Sequence, residues 1–97
     1  MKILALERAV PGVSPQAFTA ELLREEARAA WSLHQAGAIR ELHFRADREE
    51  AVLVLEADDV AAARRTLAEL PLVRAGLIDF ELVPLAAYPG FARLFAR

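Results

Sequence analysis

Glu26 is the residue whose type and position most clearly suggest chemistry in this chain. It lies within residues 14–37, where apolar side chains recur with the spacing of an α-helix. Glu26 falls in the middle of the apolar face, whose other members are Phe18, Leu22, Leu23, Ala29, Ala30 and Leu33. A buried carboxylate costs several kcal/mol unless it is paired or protonated. Two interpretations are therefore open: Glu26 extends to the rim of this face and pairs with an arginine, or it points into a cavity as a functional carboxylate.

The strand predicted next along the chain, residues 38–46, carries two further candidates, Arg40 and His43. Strict alternation places them on opposite faces of the strand, with His43 beside Ile39 and Glu41. Arg40 is either a solvated side chain or the counter-ion of Glu26.

Glu41 and His43, together with Asp79 and Glu81 on the last predicted strand, are residue types that bind metal ions. The chain has only two histidines, and we interpret His43 as a sheet-face residue at a subunit interface. We predict neither a metal site nor an organic cofactor.

The composition of the 97 residues narrows the function further. No cysteine is present, which excludes disulfides, zinc–thiolate sites and a thiol nucleophile. The net charge of −2 favours neither nucleic acid nor an anionic membrane as a partner. The apolar run after Lys2 is broken at Glu7 and Arg8, so it does not resemble a signal peptide. We expect a cytoplasmic protein.

Hydrophobic periodicity predicts the elements that must position these residues. Strands are expected at residues 2–10, 38–46, 51–56 and 77–85. The first helix begins at Ser14 as N-cap, with Pro15 in the first helical position, and ends before Gly37. The second begins at Asp58 or Asp59 and ends at Pro71, and residues 72–76 form a connector.

This order is β-α-β-β-α-β, which predicts a single ferredoxin-like α+β domain over residues 1–97. Its antiparallel four-stranded sheet carries both helices on one face, and the other face has apolar as well as charged residues. A second subunit placing its own sheet there would close a barrel-like dimer. The aromatic tail, residues 88–97, is expected to form one or two helical turns and to pack on the domain or on a neighbouring subunit.

Four local patterns, taken in order, resemble the muconolactone isomerase family of the dimeric α+β barrel superfamily. Helix one carries a central Glu followed by Leu and Gly, and strand two begins with Arg-x-Leu. Helix two ends in Leu-Pro-Leu, and strand four ends in Pro-Leu before a Tyr-Pro turn. These patterns cover nearly the whole chain, and the residues that carry them are Glu26, Leu33, Gly37, Arg40, Leu42, Leu70–Leu72, Pro84–Leu85 and Tyr88–Pro89.

The resemblance implies a cofactor-free isomerase that moves a proton on a small lactone, in oligomers built from barrel dimers, within the catabolism of aromatic compounds. Glu26 would be the general acid/base, and Arg40 or His43 would polarise a carbonyl group. Where family members carry a lysine just after the helix-one Glu, this chain has Ala27 and Arg28. Where they carry aromatic residues and a histidine on strand two, it has Ile39, His43 and Glu41.

A second function fits the same pattern. The chain could be a non-catalytic small-molecule-binding or assembly module on this fold, with Glu26 as a paired structural carboxylate. The feature that separates the two is a second polar group facing Glu26 across a cavity.

Overall fold

The computed structural model describes residues 1–96 and confirms the predicted α+β fold with a four-stranded antiparallel sheet. The strands are β1 (Lys2–Ala9), β2 (Ile39–Phe44), β3 (Ala51–Glu56) and β4 (Ile78–Pro84). The helices are α1 (Ala20–Gln35), α2 (Val60–Leu67) and the short α3 (Pro71–Arg74). Two 3₁₀ segments, Pro15–Ala17 and Gly90–Leu94, precede α1 and follow β4. No helix within residues 1–96 is both long and apolar enough to cross a bilayer.

The sheet has the order β2-β3-β1-β4, so β1 and β3 are central and β2 and β4 are edges. Ile3 and Ala5 of β1 face the helices and are fully buried. Their antiparallel partners on β3 and β4 continue this surface. The resulting core consists of Ile3, Ala5, Ile39, Leu53, Leu55, Ala63, Leu67, Leu70, Leu72, Ile78 and Phe80.

The first helix begins later than its sequence predicts. Ser14 and Pro15 start the 3₁₀ turn, and the non-helical backbone of Phe18 (ψ 73°) separates that turn from α1. Thr19 is the N-cap of α1, and its hydroxyl accepts a hydrogen bond of 3.1 Å from the Leu22 N–H. Gly37 does follow the helix with a φ of +83°, the left-handed conformation that glycine adopts readily.

The second helix is interrupted rather than simply ended by its proline. Helix α2 already ends at Leu67, and Pro71 is the first residue of α3. Proline is favoured at that position because the N–H it lacks would have no partner inside the helix. Part of the predicted connector is therefore helical, and this local geometry brings the Leu72 N–H to the site described below.

A β-bulge near Arg40 reverses the predicted faces of β2. Ile39 pairs with Leu55 of β3, whereas Glu41, two residues later, pairs with Val54, the immediate neighbour of Leu55. The extra residue resets the alternation. Strict alternation is therefore the wrong description of this strand.

The bulge decides which side chains of β2 face the helices. Register places Leu42 and Phe44 on the same face as the buried Ile39, and the three line one cavity. Glu41 and His43 lie on the opposite face of the sheet.

That opposite face is not covered by any element of residues 1–96. Its centre consists of the aliphatic side chains of Leu4, Leu6, Val52, Val54 and Val83, and charged residues surround them.

The tail after β4 also makes little contact with the domain. The molecule is 61 Å long with a radius of gyration of 15.9 Å, where about 13 Å is usual for 100 residues. Tyr88, Phe91 and Phe95 are each at least 66% exposed.

Asp59 caps α2, which gives a direct test of the fold. Its Oδ1 accepts a hydrogen bond of 2.7 Å from the Ala62 N–H. We expect Asp59→Ala to lower the free energy of unfolding by about 1 kcal/mol, measured by urea denaturation. Asp58→Ala is the matched control and should change it by less than about 0.5 kcal/mol. Equal losses in the two variants would show that Asp59 is not the cap.

Candidate functional site

A cavity of about 280 Å³ lies between α1 and the helix-covered face of the sheet. Small side chains on α1, Ala27 and Ala30, leave this space, and no residue of the helix is fully buried. Leu23 from α1 and Leu42 and Phe44 from β2 form apolar walls and are themselves at least 41% exposed. The cavity is therefore apolar and reachable from solvent.

Glu26 lies on the helix wall of this cavity, as one of its two sequence interpretations requires. Its Oε1 accepts a hydrogen bond of 2.9 Å from the Leu72 N–H. Burial raises the pKa of the Glu26 carboxyl, and the Leu72 hydrogen bond and the charge of Arg74 oppose that rise. Glu26 takes part in no ion pair among residues 1–96. Paired burial with an arginine at the rim is therefore not the arrangement observed.

Glu7 is a second carboxyl group in the same cavity and is not among the candidates predicted from the sequence. It lies on β1, and its Oε1 accepts a hydrogen bond of 2.9 Å from the Ala51 N–H. Burial raises the pKa of Glu7, the Ala51 hydrogen bond opposes that rise, and the charges of Glu50 and Glu26 add to it. The signal was present in the sequence, because period-two alternation continues the buried face from Ile3 and Ala5 to position 7.

Arg40 does not approach the cavity or Glu26. It lies at the bulge, where its Nε donates a hydrogen bond of 2.6 Å to the carbonyl oxygen of Gly37. The interpretation of Arg40 as the counter-ion of Glu26 is therefore wrong. The structure does not bring this residue and Glu26 together within one subunit.

His43 lies on the uncovered face of the sheet, away from the cavity. Its Nε2 is 3.1 Å from Oε1 of Glu41, and both side chains are largely exposed. The carbonyl-polarising part that the resemblance implies for Arg40 or His43 stays a prediction.

The acidic and histidine side chains of the two edge strands do not converge. By register, Glu41 and His43 of β2 and Asp79 and Glu81 of β4 share the uncovered face, but two strands separate them. At about 4.8 Å per strand the pairs are roughly 14 Å apart. Within residues 1–96, no three His, Cys, Asp or Glu side chains are grouped to hold a metal ion.

Two of three comparisons relate the chain to known proteins. The family model for muconolactone delta-isomerase matches residues 3–90. The crystal structure of a muconolactone isomerase at 3.3 Å resolution is 25% identical, with 92% of each chain covered and a TM-score of 0.71. A search of curated protein sequences found no match.

A second solved structure shares the fold. It is the 5-chloro-2-hydroxyhydroquinone dehydrochlorinase from Burkholderia phenoliruptrix AC1100, in complex with 2,5-dihydroxybenzoquinone. The identity is 15%, the alignment covers 93% of this chain and 98% of that one, and the TM-score is 0.59.

The two cavity carboxyl groups predict a specific pH dependence of stability. Unfolded chains release these protons near pH 4.5, whereas the folded protein holds them to higher pH. Their contribution to the free energy of unfolding is therefore full below pH 4.5 and is lost as pH rises through the raised pKa values. We expect the free energy of unfolding, measured by urea denaturation, to fall less with rising pH in Glu26→Gln and in Glu7→Gln than in the wild type.

Glu25→Gln is the control for this measurement. Glu25 lies on the exposed side of α1, one residue from Glu26. It should keep the wild-type dependence on pH. If the Glu26→Gln and Glu7→Gln profiles run parallel to the wild type, neither carboxyl group is desolvated in the folded protein.

Proposed function

The chain belongs to the muconolactone delta-isomerase family, and on that basis we propose that it is a cofactor-independent isomerase that shifts a double bond in a small unsaturated lactone. The observation that carries the proposal is the position of Glu26. A carboxylate without a counter-ion on the wall of an apolar cavity is poised for proton transfer, because desolvation strengthens it as a base. The substrate is a small molecule that the cavity can enclose in part.

The reaction needs one group that removes a proton and returns it elsewhere. Glu26 takes the proton from the carbon between the carbonyl group and the alkene, and the electron pair of that bond moves into a dienolate. The same carboxyl group then delivers the proton to the far end of the former alkene. The Leu72 N–H binds Oε1 of Glu26, and the proton transfer is assigned to Oε2. Arg40 and His43 lie outside the cavity of their own subunit, so the proton transfer itself is assigned to Glu26 alone.

We also propose that the active protein is at least a homodimer. The uncovered sheet face has an aliphatic centre inside a charged border, which fits a second copy of the same face. The exposed aromatic side chains of residues 88–96 add apolar surface that packs on the partner subunit.

One observation favours the alternative, a non-catalytic binding or assembly module. The hydrogen bond between Glu26 and Leu72 connects α1 to the first turn of α3, which is a structural task in itself. If that connection is the whole function of Glu26, its loss should affect stability and nothing else.

Glu26→Gln separates these functions. Glutamine keeps the shape of the side chain and an oxygen for the Leu72 N–H, but it cannot move a proton. We expect kcat to fall by about 10²-fold or more. The assay follows, by ultraviolet absorbance, the conversion of β,γ-unsaturated butenolides, with and without a carboxylate, to their conjugated isomers.

Two controls show whether a loss of turnover comes from lost proton transfer or from lost stability. Glu25→Gln should keep wild-type turnover, and the midpoint of urea unfolding of Glu26→Gln should equal or exceed that of the wild type. A Glu26→Gln variant with normal turnover contradicts the catalytic function. Clear destabilisation by Glu26→Leu, which removes the acceptor of the Leu72 N–H, with no lactone converted by the wild type, supports the module.

The proposed dimer is tested by the mass in solution. We expect size-exclusion chromatography with light scattering to give at least twice the mass of the chain at micromolar concentration. Val54→Glu adds a charge at the centre of the uncovered face and should shift the protein towards monomer. Ala61→Glu on the exposed surface of α2 is the control and should leave the mass unchanged. A wild-type monomer would rule out the dimer.

A further inference from the structure

Glu7 occupies the sheet wall of the cavity, in a position that is held rigidly. It lies on β1, which is hydrogen-bonded to β3 on one side and to β4 on the other. The Ala51 N–H binds Oε1 of Glu7, so Oε2 remains for a ligand. Glu26 reaches the same cavity from α1. A molecule in the cavity therefore lies between a helix carboxyl group and a sheet carboxyl group.

Three acidic side chains lie around Glu7. Glu26 faces it from α1, and Glu49 and Glu50 border an adjoining depression that Glu7 also lines. The nearby cations contact or act on these neighbours and not on Glu7: Arg45 and Arg48 pair with Glu50, and the charge of Arg74 acts on Glu26. No lysine or arginine among residues 1–96 lines the cavity itself. This surrounding negative charge favours the neutral, protonated form of one of the two cavity carboxyl groups.

We propose that Glu7 is a second catalytic residue, a carboxylic acid that donates a hydrogen bond to the carbonyl oxygen of an uncharged substrate while Glu26 moves the proton. The proposal rests on the isomerase function given above and deepens it. It stands on the cavity and on the placement of the two groups on facing walls. Burial and the charges of Glu50 and Glu26, which raise the pKa of Glu7, are consistent with it.

The step balances without a further reactant. Glu26 accepts the proton from the carbon beside the carbonyl group, and the electrons of that C–H bond form the new double bond of a dienolate. The carbonyl π electrons move to oxygen, where the Oε2–H of Glu7 stabilises the developing negative charge. Glu26 then returns the proton to the terminal carbon of the former alkene, and both carboxyl groups regain their starting states.

The two carboxyl groups of the cavity also favour an uncharged substrate over an anionic one. A substrate carboxylate in this cavity would meet the charge of Glu26 and would find no lining cation to pair with. Muconolactone carries a carboxylate on its side chain, whereas simple alkyl butenolides carry none. We therefore assign uncharged unsaturated lactones or related enones as the substrate class of this chain.

The donor function is tested by two variants of Glu7. Glu7→Leu removes the donor, and we expect kcat on an uncharged alkyl butenolide to fall by about 10²-fold with little change in KM. Glu7→Gln supplies an amide N–H in its place and should recover at least about tenfold of that loss. Wild-type kcat in Glu7→Leu, or equal losses in both variants, overturns the proposal.

Ligand binding tests the charge assignment without relying on turnover. The probes are 4-methylphenol, whose hydroxyl oxygen resembles that of a dienolate, and 4-hydroxyphenylacetate, which adds a carboxylate. Calorimetry at pH 7 should show 4-methylphenol binding at least about tenfold more tightly, which corresponds to roughly 1.4 kcal/mol. Glu26→Gln should reduce this difference in affinity because it removes the negative charge of Glu26. Glu7→Gln should leave the difference unchanged.

The outcomes separate this inference from the function on which it rests. A wild-type protein that binds the two phenols equally, or binds neither, overturns the substrate class whether or not lactones are converted. If Glu7→Gln reduces the difference in affinity between the two phenols as much as Glu26→Gln does, Glu7 is charged in the folded protein. That outcome overturns its assignment as a hydrogen-bond donor. Normal turnover in Glu26→Gln overturns the isomerase function, and with it the part given to Glu7.

Discussion

The rest of the structure depends on the burial of two carboxyl groups in an apolar cavity. Each accepts a hydrogen bond from one backbone N–H, and neither forms an ion pair. The donors belong to Leu72 and Ala51, at the start of α3 and of β3. The first N–H groups of a helix have no partner inside it, and α3 has no side-chain cap. Glu26 therefore satisfies a donor that would otherwise be unpaired. This bond connects the cavity wall on α1 to the α2–α3 corner, whose Leu70 and Leu72 also line the cavity.

The desolvated carboxyl groups that suit proton transfer also lower the stability of the fold. Desolvation raises the free energy of a charged carboxylate, and one hydrogen bond offsets only part of that cost. The remainder is offset by the aliphatic core beneath the cavity, where Ile3, Ile39 and Leu55 are fully buried. Small side chains on α1 enlarge the cavity at the expense of packing. A protein selected for stability alone would fill this space with larger apolar residues, so the space indicates that selection acted on something besides stability.

The sequence predicted the fold more completely than the site, for reasons that particular residues show. Periodicity located every strand, because strands of this sheet keep one face buried. Ser14 and Pro15 do begin a helical turn, but the non-helical backbone of Phe18 ends that turn, and α1 begins only after Thr19. The bulge at Arg40 carries no mark that alternation can detect, and it places Leu42 and Phe44 on the face of Ile39 instead of Glu41 and His43. Glu26 was found because it interrupts an apolar stripe. Glu7 was missed because a charged residue near a strand end is usually read as solvated.

Family membership fixes the scaffold but not the compound on which it acts. A muconolactone isomerase and a hydroxyhydroquinone dehydrochlorinase share this architecture, and the second is only 15% identical to this chain. What distinguishes members of one fold is the set of groups that face the cavity. Here the residues after Glu26 are Ala27 and Arg28, and only the alanine lines the cavity. A cavity bordered by carboxyl groups without a lining cation stabilises negative charge through hydrogen bonds rather than ion pairs. Such a site can accept the charge that develops on a carbonyl oxygen during reaction, yet disfavours a substrate that arrives already charged.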